Sequence, residues 1–177
     1  MPVFVGYFKA TLENIGSLEP KADNTWKIDV QNSQSEEKRE GVTINAEEEV
    51  ELEGSRGTAN LEIRFPDSTE KANCSIIGAA SFQATFKKNK AKLKEMPRAV
   101  TAEDSDEWVP IVAFEARGLD VVKLTLGVDD FTAKSSGGGL LEEVDLSDDF
   151  ADYDEPNELS IGITSSDGCN LPGQPVR

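Results

Sequence analysis

Apolar and polar residues alternate with a period of two through most of this 177-residue chain. That is the spacing of β-strands, whose successive side chains face opposite sides of a sheet. Val3, Val5 and Tyr7, interleaved with Phe4 and Phe8, predict a first strand over 3–12. Trp26, Ile28 and Val30 alternate with Lys27 and Asp29 in a second. Val42 and Ile44 open a third beyond the polar loop 31–38. Val50 and Leu52, set between Glu49, Glu51 and Glu53, predict a half-buried strand with an acidic outer face. Leu61, Ile63 and Phe65 alternate with Asn60, Glu62 and Arg64, and 75–84 and 85–93 carry β-branched and aromatic residues at strand spacing. Further strands are predicted over 108–115, 121–126 and 160–163, while 141–146 is either a short strand or part of an acidic stretch that ends in 152–156. Turns are predicted at 14–17, 54–57, 66–68 and the corner 117–120, with an acidic linker at 101–107 and a flexible loop at 135–139. Many short strands separated by turns predict an all-β fold, an antiparallel β-sandwich or barrel-like sheet pair with little helix. One domain is expected over 1–164, followed by a flexible Gly- and Pro-rich tail, 165–177.

Charge and composition narrow the chemistry. Lys plus Arg number 18 and Asp plus Glu 34, a net charge of −16. Such a surface repels phosphate backbones, so nucleic acid is not an expected partner. Histidine is absent. This excludes Ser-His-Asp and Cys-His nucleophile arrangements and every imidazole-liganded metal site. The two cysteines, Cys74 and Cys169, are too few for a four-thiolate site and do not make a disulfide framework. Asn73-Cys74-Ser75 matches a glycosylation sequon, but the first residues lack the charged and apolar regions of an export signal. No apolar stretch approaches a membrane span of about 18 residues. The expected location is the cytoplasm or nucleus, with no membrane partner.

Several segments together resemble one family. Residues 9–20, KATLENIGSLEP, look like the opening of the eukaryotic CXXC-motif zinc-binding family. Residues 54–59, GSRGTA, look like its glycine-rich turn. Residues 114–119, FEARGL, are similar to its FECRGL segment and 152–155 to its DYDE segment. Order and spacing agree over 3–163. The resemblance implies an all-β fold and one zinc held by two CxxC elements, a spacing that sets four thiolates tetrahedrally about 2.3 Å from the metal. The first element falls on Asn32 and Ser35 when counted from Trp26, or on Gln31 and Gln34 when counted from the Arg56 turn. The second falls on Phe65 and Ser68, and Ala116 stands where the FECRGL cysteine would be. None of these is a thiolate. The resemblance therefore implies the architecture without the metal, and the two hairpins are expected to be joined by Phe65 packing and by hydrogen bonds from 31–35.

Other constellations suggest chemistry of their own. Asp145, Ser147 and Asp149 begin like a calcium loop, but Phe150 stands where the turn needs glycine. Otherwise the stretch is a solvated one, with Phe150 and Tyr153 packed on the sheet. Glu47 to Glu49, Glu51 and Glu53 could pair for carboxylate hydrolysis, yet strand alternation puts the last three on one outer face. Lys88, Lys90, Lys92 and Lys94 would share one face of an extended edge strand, guarding it or contacting a partner. Ser55, Arg56 and Gly57 form a candidate anion nest. Arg117 is expected either to contact a ligand or to pair with a buried carboxylate. Cys74 is expected to be buried and inert, and Cys169 to be exposed in the tail. These observations favour a non-catalytic protein-interaction or adaptor domain without a cofactor. Its expected contacts are Arg56, Ser55, Gly57, Arg117, Lys88 and Lys90, and its partner another protein. Alternatives are an oxygen-ligand, calcium-type metal binder and a carboxylate-dependent hydrolase.

Overall fold

A computed structural model describes residues 2–164, with the backbone of 170–171 and 174–176. Among the described residues, eighteen strands carry the fold. In chain order they are β1 (Val3–Phe8), β2 (Thr11–Glu13), β3 (Ile15–Pro20), β4 (Thr25–Asn32), β5 (Lys38–Asn45), β6 (Val50–Glu51), β7 (Thr58–Ala59), β8 (Leu61–Arg64) and β9 (Lys71–Ile76). After two short helices, α1 (Ala79–Thr85) and α2 (Lys90–Leu93), come β10 (Val100–Thr101), β11 (Val109–Arg117), β12 (Leu119–Thr125), β13 (Val128–Ser135), β14 (Leu140–Asp145), β15 (Phe150–Asp154), β16 (Leu159–Thr164), β17 (Asn170–Leu171) and β18 (Gln174–Val176). The fold is all-β and sandwich-like, and every strand pairing is antiparallel. The sheets run β18-β1-β11-β9-β8, β10-β3-β13-β14, β17-β12-β4-β5, β15-β16-β2 and β6-β7. Of the expected tail, 165–169, 172–173 and 177 lie outside the described residues. Within it, β17 pairs with β12 and β18 with β1.

The inner faces of the sheets meet in one core. Phe131 lies 6.2 Å from both Phe8 and Trp26, edge-on to the indole. This core also buries Ile28, Val30, Ile63, Phe65, Phe114, Leu119 and Ile161. In β1, Phe4 and Phe8 enter this core while Val3 and Val5 enter a second, smaller one with Phe82 and Ala113. Both faces of β1 and β11 are covered, which explains their unbroken apolar runs.

The second core corrects the strands predicted over 75–84 and 85–93. Gly78 ends the β9 segment, and the Ala-rich 79–85 coils into α1. Phe82 and Phe86, four residues apart, then share one helix face with ring centroids 4.7 Å apart. As strand residues they would lie on the same sheet face too, so periodicity alone does not separate the two states. Lys88 and Lys90 consequently flank and begin α2, capped by the Asn89 side chain, instead of lining an edge strand.

Three smaller expectations also change. The predicted turn at 14–17 contracts to Asn14, at φ 52°, and Ile15 already starts β3. The glutamate-flanked strand is only β6, with Val50 39 % exposed. The acidic linker 101–107 is a fixed 3-10 turn over Ala102–Asp104. Arg98 donates to both carboxylate oxygens of Asp104 at 2.7 and 2.8 Å, and the Thr101 N–H and hydroxyl add bonds of 2.8 and 2.9 Å. Arg98 first, then Thr101, hold Asp104 well below the usual carboxylate range. A lowered carboxylate stabilises the fold above its unfolded value, and that contribution is lost as pH falls. Asp104→Asn should therefore cost about 0.5–1 kcal/mol at pH 7, with the gap from wild type closing below about pH 4. Urea titrations at several pH values measure it; a gap independent of pH would rule out the charge as its source.

Candidate functional site

The two segments aligned with the family's metal knuckles meet. β4 ends at Asn32 and turns through 33–37 into β5, while β8 ends at Arg64 and turns through 65–70 into β9. Asn32 is 7 % exposed, and its Nδ2 donates to Asp67 Oδ1 at 2.9 Å. The Ser35 hydroxyl also bonds Asp67, and the Ser35 oxygen accepts from the Glu37 N–H at 3.2 Å. Glu37 Oε2 accepts from the Asp67 N–H at 3.3 Å. Gln31 turns instead to the Ser35 carbonyl, 3.1 Å away. Asn32 and Ser35 reach Asp67 in the second turn, and Gln34 lines the cleft beside it.

Asp67 thus bridges the two turns on which the resemblance places the CxxC elements. Ser35 first, then Glu37 and Asn32, hold its carboxyl below the usual range. The hydrogen bond with Asp67 is the first cause that pushes Glu37 up. Falling pH therefore adds a proton at Glu37 before Asp67, which leaves the bridge intact in mild acid. Phe65 is 1 % exposed in the main core, with the Arg39 guanidinium 5.9 Å from its ring centre. Zinc in a structural site wants four thiolate, imidazole or carboxylate donors in a tetrahedron. Here the four corresponding positions offer an amide, two hydroxyls and a buried phenyl ring. The donor set does not fit the metal.

A cleft of about 220 Å³ opens beside this joint, lined by Asn32, Ser33, Gln34, Phe65, Ser68 and Arg117, among others. Gly118, at φ 76°, makes the corner there between β11 and β12, and its carbonyl accepts from the Ser33 N–H at 3.3 Å. Arg117 is exposed and forms no ion pair among the described residues, so the expected buried carboxylate partner is not found. The remaining candidate contacts stand elsewhere. Ser55, Arg56 and Gly57 form the exposed β6–β7 turn, where Gly54 takes φ 72° and the Gly57 N–H bonds the Ser55 hydroxyl at 3.1 Å. Lys88 and Lys90 are exposed at α2.

The acidic segments behave differently from one another. Asp145 Oδ1 accepts from the backbone N–H of Ser147 at 2.9 Å and from its hydroxyl. Glu53 reaches Lys71 at 3.0 Å. Among the described residues, no three Asp, Glu or Cys side chains converge as a metal-binding group. Tyr153 is 52 % exposed instead of packed on the sheet, whereas Phe150 does pack against the core. Cys74 is fully buried, and that burial pushes its thiol up to about 12, away from the reactive thiolate. Cys169 lies outside the described residues.

Two anchors escaped the residue patterns. Asp67 lies between two ligand-aligned positions, where the sequence predicts only a turn. Asp154, 5 % exposed, accepts from the Ser135 hydroxyl and from Asn157 Nδ2, the latter at 2.8 Å. The predicted flexible loop 135–139 is thereby docked onto the β15–β16 turn. The advance signal was that the acidic run ends in 152–155, which resembles the family's DYDE segment as a whole and does not single out Asp154.

Known proteins share this architecture. A Xenopus laevis protein named "CXXC motif containing zinc binding protein" is 27 % identical over 168 residues, covering 92 % of this chain and 94 % of that one. A solved structure titled "Hypothetical protein from plasmodium falciparum" matches with a TM-score of 0.77 and 23 % identity, over 93 % of this chain and 96 % of its own. Another, titled "Crystal Structure of C1orf123", gives 0.76 and 26 %, over 93 % and 95 %. The family model described as "CXXC motif containing zinc binding protein, eukaryotic" matches residues 7–167. The family model spans most of the chain, which therefore belongs to this family, as a divergent member without the four zinc-ligand cysteines.

Proposed function

We propose that this protein is a non-catalytic interaction domain that folds without zinc and serves as an adaptor for other proteins. The observation that carries the reading is the Asp67 bridge, a hydrogen-bonded joint in the place of the family's metal. A joint of this kind holds two turns together but supplies neither a Lewis acid nor an activated water. What the protein then offers a partner is its surface. At a net charge of −16 that surface favours basic proteins over phosphate backbones. The exposed Arg56 turn, Arg117 and the Lys88–Lys90 segment are local exceptions suited to acidic contacts. No helix among the described residues is long and apolar enough to cross a membrane. The cytoplasm or nucleus is the proposed location.

Metal analysis and melting curves test the first half of this reading. Protein purified without added metal should contain substoichiometric zinc, and neither zinc nor a chelator should move its melting temperature. Asp67→Ala should lower that temperature by several degrees, because Asn32 is left with an unmet buried donor. Stoichiometric zinc, or a chelator that unfolds the wild type, would overturn it. Cross-linking of the full chain in lysate tests the second half. Partners should be captured reproducibly and at least one should be lost with Arg56→Ala or with Lys88→Ala and Lys90→Ala together. Turnover of a small molecule by the purified protein would count against the non-catalytic reading.

A further inference from the structure

Two sheets end side by side at β14 and β15. Among the described residues each is the outermost strand of its own sheet, and the two are not paired with each other. The gap between them is a cleft of about 470 Å³. Its apolar lining includes Leu140, 60 % exposed, and Tyr153, 52 % exposed, together with the exposed Pro156. Its charged lining is of one sign: Glu142, Asp152 and Glu155.

The two edges are unlike. β14 shifts register against β13, and Glu143 sits at φ 55°, a bulge that spoils the edge for a further strand. β15 pairs with β16 through five residues without a shift. The Tyr153 N–H is closed off by its neighbour Asp152, whose Oδ1 lies 2.7 Å away. The floor is fixed, because Asp154 ties the turn before β14 to the turn after β15. A regular open edge, a rigid floor, apolar side chains and carboxylates therefore meet in one place.

We propose that this cleft takes an extended basic segment of a partner protein, laid as an added strand along β15. A carbonyl of the incoming strand takes the Tyr153 N–H. That releases the Asp152 carboxylate to pair with a lysine or arginine of the segment. Apolar residues at alternate positions lie on Tyr153 and Leu140, as strand geometry requires. Charge selects this occupant over a second copy of the chain, since two molecules at −16 each would bring like carboxylates together. Carboxylates on an edge usually guard it against pairing; here they guard it against acidic and neutral strands only.

The inference rests on the interaction reading above and names the partner's chemistry. The probe is a synthetic peptide of about eight residues alternating lysine and valine, an ordinary strand length. Titrated into isotope-labelled full-length protein, it should bind saturably, with amide shifts concentrated at 139–142 and 152–156. Leu140→Ser with Tyr153→Ala should weaken it by about tenfold or more, and both residues are exposed, so the fold tolerates the change. Glu47→Gln, an exposed carboxylate outside the cleft, should leave it unchanged. Equal binding of an alternating glutamate–valine peptide, or of a lysine–glycine peptide, would overturn the proposal. So would shifts spread over the whole acidic surface, or dimerisation through this edge. A photo-crosslinking residue at position 153 separates the two levels of the argument. Partners captured at the Arg56 turn but never at position 153 sink this inference and leave the adaptor reading standing. Partners captured at neither place sink both.

Discussion

Replacing Phe65 with alanine should lower the unfolding free energy by about 3–5 kcal/mol, the range for a buried phenylalanine that leaves a cavity. The ring is 1 % exposed and belongs to the main core, so its whole apolar area is removed from water. It also stands at the family's third ligand position, at the start of the turn whose Asp67 reaches across to Asn32. Removing it hollows out the base of that turn as well as the core. The Arg39 guanidinium above the ring loses its cation–π contact but keeps its bond to the Arg64 carbonyl at 3.1 Å. The more telling variant is Phe65→Cys. If a metal could still be held here, added zinc would restore stability to this variant. With an amide and two hydroxyls at the other three positions, it should not. Chemical denaturation with and without zinc decides it: a loss under about 1 kcal/mol, or recovery on adding zinc, would refute packing as the substitute for the metal.

Much of the fold was legible because strands with one wet face announce themselves. Trp26, Ile28 and Val30 in β4 and Leu61 and Ile63 in β8 alternate cleanly, and so are found at their expected places. β13 was missed for a physical reason. It opens on Val128-Asp129-Asp130, with Asp129 at φ 64°, and only then buries Phe131, Ala133 and Ser135 in alternation. α1 was misread because its burial is created by β1 lying beneath it, a contact that lies outside any local window. The joint between 31–35 and 65–68 came from the resemblance, since no spacing within either segment says that they meet. Its chemistry was half visible. Phe65 packing and hydrogen bonds from somewhere in 31–35 were expected, but which side chains make them, and the acceptor Asp67, could be assigned only once both turns were in space.

The same limit explains Asp154 and leads to the second large effect. A run of carboxylates from Asp145 to Glu155 looks solvated, and three consecutive glycines look flexible. In the fold each explains the other. Gly139 gives its N–H to the Ser135 hydroxyl at 3.0 Å, and a Cβ added to it would sit 2.6 Å from Asp154 Oδ2. A Cβ on Gly137 would sit 2.5 Å from Asn157 Cγ. Two hairpin turns are thus packed at distances that only hydrogen atoms allow. Gly139→Ala should therefore cost about 2–3 kcal/mol, the upper part of the range for an overfilled site, because the obstructing group is itself held by two hydrogen bonds. Gly138 is the internal control. It has φ 90° but nothing within 4 Å of its missing Cβ, so Gly138→Ala should cost about 1 kcal/mol, from backbone strain alone. The cause is isolated by combining Gly139→Ala with Asp154→Ala. Truncating Asp154 destabilises by freeing Ser135 and Asn157, but it also clears the space the new methyl needs. The double variant should then be more stable than the sum of the single losses predicts. Strict additivity in denaturant titrations would mean that the two turns do not press on each other, and the rigid floor of the β14–β15 cleft would go with them.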